Sequence, residues 1–232
     1  MCPTALRGQH LNKDHNVTNI LEAIATDDCW IWHAFFGMPG SCNDLNVLNA
    51  SPFIQTLMQG GLPDFRFTVN GTSRLKPYVL TDGIYPPWLC FQKGFSEPVT
   101  EEQKLYATVV SALRKDVERA FGILRKRFNF LKVPCRLWYI EDIVLLVKCC
   151  LILHNMIVED ERDEIDVQNR LYFLDEHETL VDETIQVDGV SATLERETPL
   201  EELIRNMLLT RDKDEHIALR NDLMAHVWNL NR

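Results

Sequence analysis

Two carboxylates stand where they could share a metal ion. Asp82 ends the short apolar run Pro77-Tyr78-Val79-Leu80-Thr81, just before Gly83 and the turn residues Pro86-Pro87. A strand stops at such a place and can turn its last side chain out of the sheet. Glu118 follows after thirty-five intervening residues, inside a long helical pattern. Hard oxygen ligands of this kind can hold Mg2+ or Mn2+ while leaving positions for water and a phosphate, and two metals can serve the attacking and leaving oxygens of a phosphodiester. The same spacing also fits an exposed turn aspartate and a surface glutamate paired with Arg114 or Arg125.

The surroundings of Glu118 are basic. Between Arg114 and Arg136 there are eight Lys plus Arg against two acids, and Arg114, Lys115 and Arg125 share the helix face of Glu118 by their spacing. A site that handles phosphates would look like this, and so would a solvated helix face. Other chemistry-bearing residues read as structural. His154 falls in an apolar helix and reads as a satisfied core histidine. Cys149-Cys150 reads as packing, and Asp27 and Asp28 as turn formers. Asp44 reads as a helix-start residue, with Ser41 and Asp44 at capping-box spacing. The sequence has no glycine-rich phosphate loop, serine nucleophile elbow or zinc spacing.

The elements that must position these residues follow from hydropathy. The 232 residues, 46% hydrophobic and 25% charged, suffice for a buried core. Seven cysteines without a Cys-x-x-Cys pair favour a reduced, intracellular setting. The N-terminus lacks the apolar core of a secretory signal, and the apolar run Ile143–Val158 is too short and polar to span a bilayer, so no membrane partner is expected. The net charge of −10 is uneven. Residues 159–216 hold nineteen acids and six bases, whereas residues 1–158 hold fourteen acids and sixteen bases. An acidic total therefore does not exclude a nucleic-acid partner for the body.

Along the chain, Val17–Ala25 and Trp30–Phe36 read as a hairpin. A helix follows from about Asn43 to Leu57, and Phe65–Val69 with Pro77–Leu80 read as a second hairpin about Asn70-Gly71. Thr100 can cap one long helix whose apolar positions run from Leu105 to Phe128. Ile140–Val158 reads as a helix apolar nearly all round and hence buried. The expected division is a body over 1–158, an acidic linker of low order over 159–211, and an amphipathic helix within 212–232.

Four segments carry a resemblance: Ile31-Trp32-His33-Ala34-Phe35-Phe36-Gly37-Met38-Pro39-Gly40-Ser41, Leu80-Thr81-Asp82-Gly83-Ile84-Tyr85-Pro86, Arg114-Lys115-Asp116-Val117-Glu118-Arg119-Ala120-Phe121-Gly122 and Leu153-His154-Asn155-Met156-Ile157-Val158-Glu159-Asp160. In order and over about residues 2–163, the chain closely resembles the plant-type PIF/Harbinger transposases of the DDE endonuclease superfamily. The resemblance implies an α/β, ribonuclease H-like fold, a mixed sheet flanked by helices. It implies a metal-dependent DNA nuclease using Mg2+ or Mn2+, with an Asp, Asp, Glu triad. By position Asp82 matches the second Asp and Glu118 the Glu, while Arg114, Lys115, Arg119 and Arg125 become candidates for phosphate contacts. The family's first Asp sits on the first core strand, upstream of the segment that begins here at Cys2. The expectation is thus a domain missing that strand and ligand, and inactive for that reason. The expected partners are DNA at transposon ends, a Myb-like accessory protein and further copies of the chain, in the nucleus. The alternative is a domesticated, catalytically silent DNA- or protein-binding module.

Overall fold

A computed structural model describes residues 4, 6–58, 66–173, 205 and 208–231. Strands β1 (Asn19–Ala25) and β2 (Ile31–Pro39) form the expected antiparallel hairpin, with irregular register between Ile20 and Leu21 and between Ile24 and Ala25. Its turn follows from local chemistry. Asp28 Oδ1 accepts from the Thr26 hydroxyl (2.6 Å) and the Trp30 N–H (3.0 Å), and Cys29 sits at φ 68°. Aspartate stabilises such turns by bonding to backbone two residues on. At the other end, a Cβ on Gly40 would meet Thr18 Oγ1 at 2.2 Å and the His10 carbonyl at 2.8 Å, so the N-terminal arm with its short helix α1 (Arg7–His10) packs there only because residue 40 is glycine.

The helix expected from Asn43 to Leu57 is two helices, α2 (Asp44–Ala50) and α3 (Pro52–Met58). Pro52 disfavours helical dihedrals at the residue before it, and Ser51 is extended at ψ 135°. Ser41 and Asp44 form no capping box. Asn43 caps α2 by accepting the Asn46 N–H (2.8 Å), and the Ser41 hydroxyl donates to the Gln9 carbonyl (2.6 Å).

The second hairpin also differs from expectation. Asn70 (φ 48°) and Gly71 (φ 81°) both take positive φ, the signature of a two-residue type I′ turn. Such a turn pairs the residues that flank it directly. It therefore closes β3 (Phe67–Val69) onto β4 (Thr72–Arg74), not onto Pro77–Leu80. Val79–Leu80 is a separate strand, β5, paired in parallel with β6 (Phe91–Gln92) through Val79 N–H to the Cys90 carbonyl (2.8 Å) and Thr81 N–H to the Gln92 carbonyl (2.9 Å). Among the described residues the strands thus form three two-stranded sheets, two antiparallel and one parallel, in a mixed α/β fold.

Thr100 caps α4 (Glu101–Leu113) in a full capping box with Gln103. The expected continuous helix is divided at Arg114, and α5 runs Lys115–Arg127. Neither proline nor glycine marks the division. Beyond a 3-10 turn at Asn129–Leu131, α6 spans Ile140–Phe173 and so continues past Val158. Most of the expected linker lies outside the described residues. Helix α7 (Lys213–Leu230) packs on α4, burying Leu219 and Leu223 beside Tyr106 and Val110. Arg74 ties it to β4 through Glu215 and Asp222, both at 2.6 Å.

The reading of α6 as buried all round is corrected. Over Ile140–Val158, the stripe Val147, Cys150, His154 and Val158 is buried, while Leu145, Ile152, Leu153 and Met156 are exposed. That stripe grips the hairpin. Asn155 Oδ1 accepts the Ile31 N–H (2.9 Å) and its Nδ2 donates to the Ile31 carbonyl (2.8 Å). His154 is fully buried as expected, with Nε2 2.9 Å from the Cys29 carbonyl and Nδ1 3.2 Å from Arg127. Arginine only donates, so Nδ1 accepts and the proton sits on Nε2, donated to Cys29. The ring is neutral.

Two expected outcomes follow. Asn155→Ala leaves both polar groups of the buried Ile31 backbone unpaired, at about 1–3 kcal/mol for each group. It should lower stability by roughly 2–4 kcal/mol in urea denaturation. His154 and His216 both have pKa values below the ordinary 6.5, chiefly through burial. The folded chain then binds fewer protons than the unfolded chain once the pH drops below that value. Stability should be full above pH 6.5 and decline as the pH falls through 6.5 toward the lowered folded values. His154→Gln should flatten part of that slope in denaturation midpoints measured from pH 7.5 to 5.

Candidate functional site

Between β1 and β5 lies a slot of about 500 Å3. One wall is Glu22 to Asp27, the other Tyr78 to Asp82. Asp44, Phe53, Phe91 and the α4–α5 junction at Leu113, Arg114, Asp116 and Val117 complete it. In a strand, successive side chains point to opposite faces. A cavity on one face would touch every second residue. This one touches six successive residues of one wall and five of the other, of which Glu22–Ala25 belong to β1 and Val79–Leu80 to β5.

Asp82 stands at the mouth, two residues past β5, where the sequence places it. Its side chain is 57% exposed and paired with Arg114 at 2.9 Å. An exposed pair of this kind contributes about 0–1 kcal/mol. It positions Arg114 rather than stabilising the fold. Tyr85 lies deeper in the slot. Its hydroxyl is pushed up to about 12, first by burial and then by the carboxylates of Glu22, Asp44 and Asp82, against the opposing effect of Arg114. Carboxylates from β1, from α2 and from just past β5 thus bear electrostatically on one phenol. Two buried oxygens on the slot walls, Glu22 Oε2 and Thr81 Oγ1, have no hydrogen-bond partner among the described residues. Glu22 makes only an ion-pair contact to His33, at 3.4 Å.

The other predicted residues are spread along α5. Glu118 is exposed and lies outside the slot lining, one turn beyond Arg114. Lys115 and Arg125 are also exposed. Arg119 points back to the hairpin turn, donating to the Asp27 carbonyl and, through Nε, to Cys29 Sγ (3.2 Å), and it pairs with Asp116 at 3.3 Å. No group of three or more His, Cys, Asp or Glu residues suited to a metal is assembled among the described residues. Sequence reasoning missed Glu22 and Tyr85. Glu22 reads as one more position in a strand, and only the position of β1 beside the slot brings it to Asp82 and Asp44.

The arrangement is that of a mixed α/β domain with an acidic slot at the end of a parallel strand pair, overlooked by a basic helix. A family model described as "Plant transposon protein" matches residues 1–165. The chain belongs to that family. It is also similar to a curated protein of Arabidopsis thaliana named "Protein ALP1-like", 26% identical over 164 residues, which is 68% of this chain and 39% of that protein. The chain therefore spans less than half the length of the curated relative it matches. No solved structure matches. No helix among the described residues is long and apolar enough to cross a membrane.

If Arg114 holds the Asp82 carboxylate as its counterion, removing the guanidinium should release it. Arg114→Gln should change stability by less than about 1 kcal/mol. It should also strengthen Mn2+ binding severalfold in titration calorimetry, a gain that Asp82→Asn added to the same chain abolishes.

Proposed function

We propose that this chain is a transposon-derived relative of the DDE endonucleases, built on a ribonuclease H-like sheet, that does not cleave DNA by itself. The observation that carries the reading is Asp82. It stands at the C-terminal end of a strand in a parallel pair, facing the helix that bears Glu118, within a chain that belongs to a transposon protein family. Asp82 and Glu118 are proposed as two of three carboxylates for Mg2+ or Mn2+. The resemblance places the third on a first core strand ahead of Cys2. The residues here do not fit a metal on their own. Two carboxylates leave a hard cation short of ligands, and Arg114 already neutralises one of them. No catalytic step is therefore drawn through a metal.

The proposed partner is DNA, in the nucleus, with Lys115, Arg114, Arg119 and Arg125 as phosphate contacts. Lys115 and Arg125 are exposed to make them. Arg114 and Arg119 would have to leave Asp82 and the hairpin turn. A Myb-like protein could supply sequence recognition, and further copies of the chain could share the DNA. The second reading, a catalytically silent binding module, is favoured by the Asp82–Arg114 pair, which occupies a carboxylate that a working nuclease needs free.

With Mn2+ and supercoiled plasmid, the chain should nick no faster than its Asp82→Ala and Glu118→Ala variants. Nicking above both variants would overturn the proposal of inactivity. Binding to duplex DNA should weaken steeply with salt and survive Asp82→Ala. Lys115→Ala with Arg125→Ala should weaken it at least tenfold in gel-shift titrations. Salt-insensitive binding, or none, would sink the DNA-binding reading.

A further inference from the structure

We propose that the connector between α5 and α6, residues 128–139, is a contact site for the unpaired bases of single-stranded nucleic acid, with Trp138 and Tyr139 as stacking platforms and Lys132 and Arg136 as phosphate contacts. The inference extends the proposed DNA contact from phosphates to bases and rests on that reading, and its test lets the two fail separately.

The aromatic pair has no partner in the fold. Trp138 is 67% exposed and Tyr139 64%. Among the described residues neither side chain makes a hydrogen bond or a ring contact. Trp32 is as exposed, but it donates to the Thr26 hydroxyl (3.2 Å) and packs on Trp30. An indole and a phenol carry large apolar faces that folding ordinarily covers, each with one polar atom to be satisfied. Here both rings are left to solvent, one after the other in sequence. Their backbone is nevertheless held, since the Tyr139 carbonyl accepts the Ile143 N–H (3.4 Å) at the start of α6.

Charge decides what kind of partner the rings suit. From Arg125 to Ile140 there are five Lys plus Arg and no Asp or Glu. Arg127 is engaged by Glu161 and His154. Arg125, Lys126, Lys132 and Arg136 are exposed and make no ion pair among the described residues. The next acids, Glu141 and Asp142, open α6. His154 stands fourteen residues beyond Ile140, about 21 Å along the helix. Because Arg127 touches His154, the connector carries the chain over roughly that distance, from the basic end of α5 to the aromatic pair. A strand of a few nucleotides laid along it meets unpaired cations first and ring faces at its end. Every base has a π-face, and stacking on Trp or Tyr tolerates any sequence, whereas bases within a duplex already stack on one another. A protein partner recognised through the rings alone would need no such run of free cations.

The test uses the full chain and three fluorescein-labelled twelve-mers: oligothymidylate, a strand of the same length built from tetrahydrofuran abasic units, and a duplex of mixed sequence. In anisotropy titrations oligothymidylate should bind at least tenfold tighter than the abasic strand, which carries the same phosphates. Trp138→Ala with Tyr139→Ala, checked for folding by circular dichroism, should abolish that preference and change duplex affinity less than threefold. Trp138→Phe with Tyr139→Phe keeps both ring faces and should stay within threefold of the parent chain. Lys132→Ala with Arg136→Ala should lower the slope of log affinity against log salt by about 1.4, at ~0.7 for each phosphate contact to a single strand. Equal binding of the abasic strand, an alanine pair without effect, or a phenylalanine pair as weak as the alanine pair would each overturn the stacking, and an unchanged slope would overturn the phosphate contacts. Self-association in sedimentation that the alanine pair abolishes, with oligothymidylate affinity intact, would make the connector a protein contact instead. Absence of duplex binding would sink the DNA reading itself, whereas duplex binding with indifferent aromatics sinks this inference alone.

Discussion

Residues 26–31 are held in place by side chains far away in the chain, and the position of everything around the slot depends on that grip. Asn155 replaces a strand neighbour for Ile31, taking its N–H and supplying its carbonyl with a donor. His154 does the same for the Cys29 carbonyl from one residue earlier, and Arg119 reaches the turn from α5. Cys29 at φ 68° is a conformation that a non-glycine residue rarely holds unaided. The surrounding bonds over-determine it, and the hairpin is thereby fixed against both helices. Because β1 is one wall of the slot, the helix pair α5–α6 sets where Glu22 stands relative to Asp82.

The histidine and asparagine of α6 are thus structural, though they sit in one of the four segments that carry the family resemblance. A neutral, fully buried imidazole with both nitrogens engaged has no free lone pair for a metal or a substrate. Its function is to satisfy backbone that a two-stranded hairpin leaves unpaired at its edge. At the slot, Arg114 is the one cation among the described lining residues, and it pairs with the Asp82 carboxylate.

The parts of the fold legible in sequence are those governed by local rules. The β1–β2 hairpin, the Thr100 cap, the Asn70-Gly71 turn and the strand-end position of Asp82 depend on residues within a few positions of one another. Pro52, through its effect on Ser51, is the local mark that divides α2 from α3. The partner of Val79–Leu80 was not legible, because pairing with Phe91–Gln92 is parallel and is decided across a loop. The burial of α6 is not legible for a related reason. Composition gives the amount of apolar surface but not what covers it, and Leu145, Ile152 and Met156 face outward. Of the slot, the strand-end place of Asp82 was legible from the apolar run before it, but its pairing with Arg114 was not, since spacing sets Arg114 beside Glu118. The contribution of Glu22 could not, since a lone glutamate in an alternating strand carries no mark of its neighbours.

The division of the long helix at Arg114 connects the fold to the site. Arg114 keeps helical dihedrals (φ −65°, ψ −19°) and bonds back to Val110, so the chain is not unwound at the division. At that junction Arg114, Asp116 and Val117 all enter the slot, whereas Glu118 stays on the outer surface of α5. The junction thus sorts the candidate residues: the Arg114 guanidinium goes to Asp82 at the slot, and Glu118, one turn further on, stays at the surface of α5.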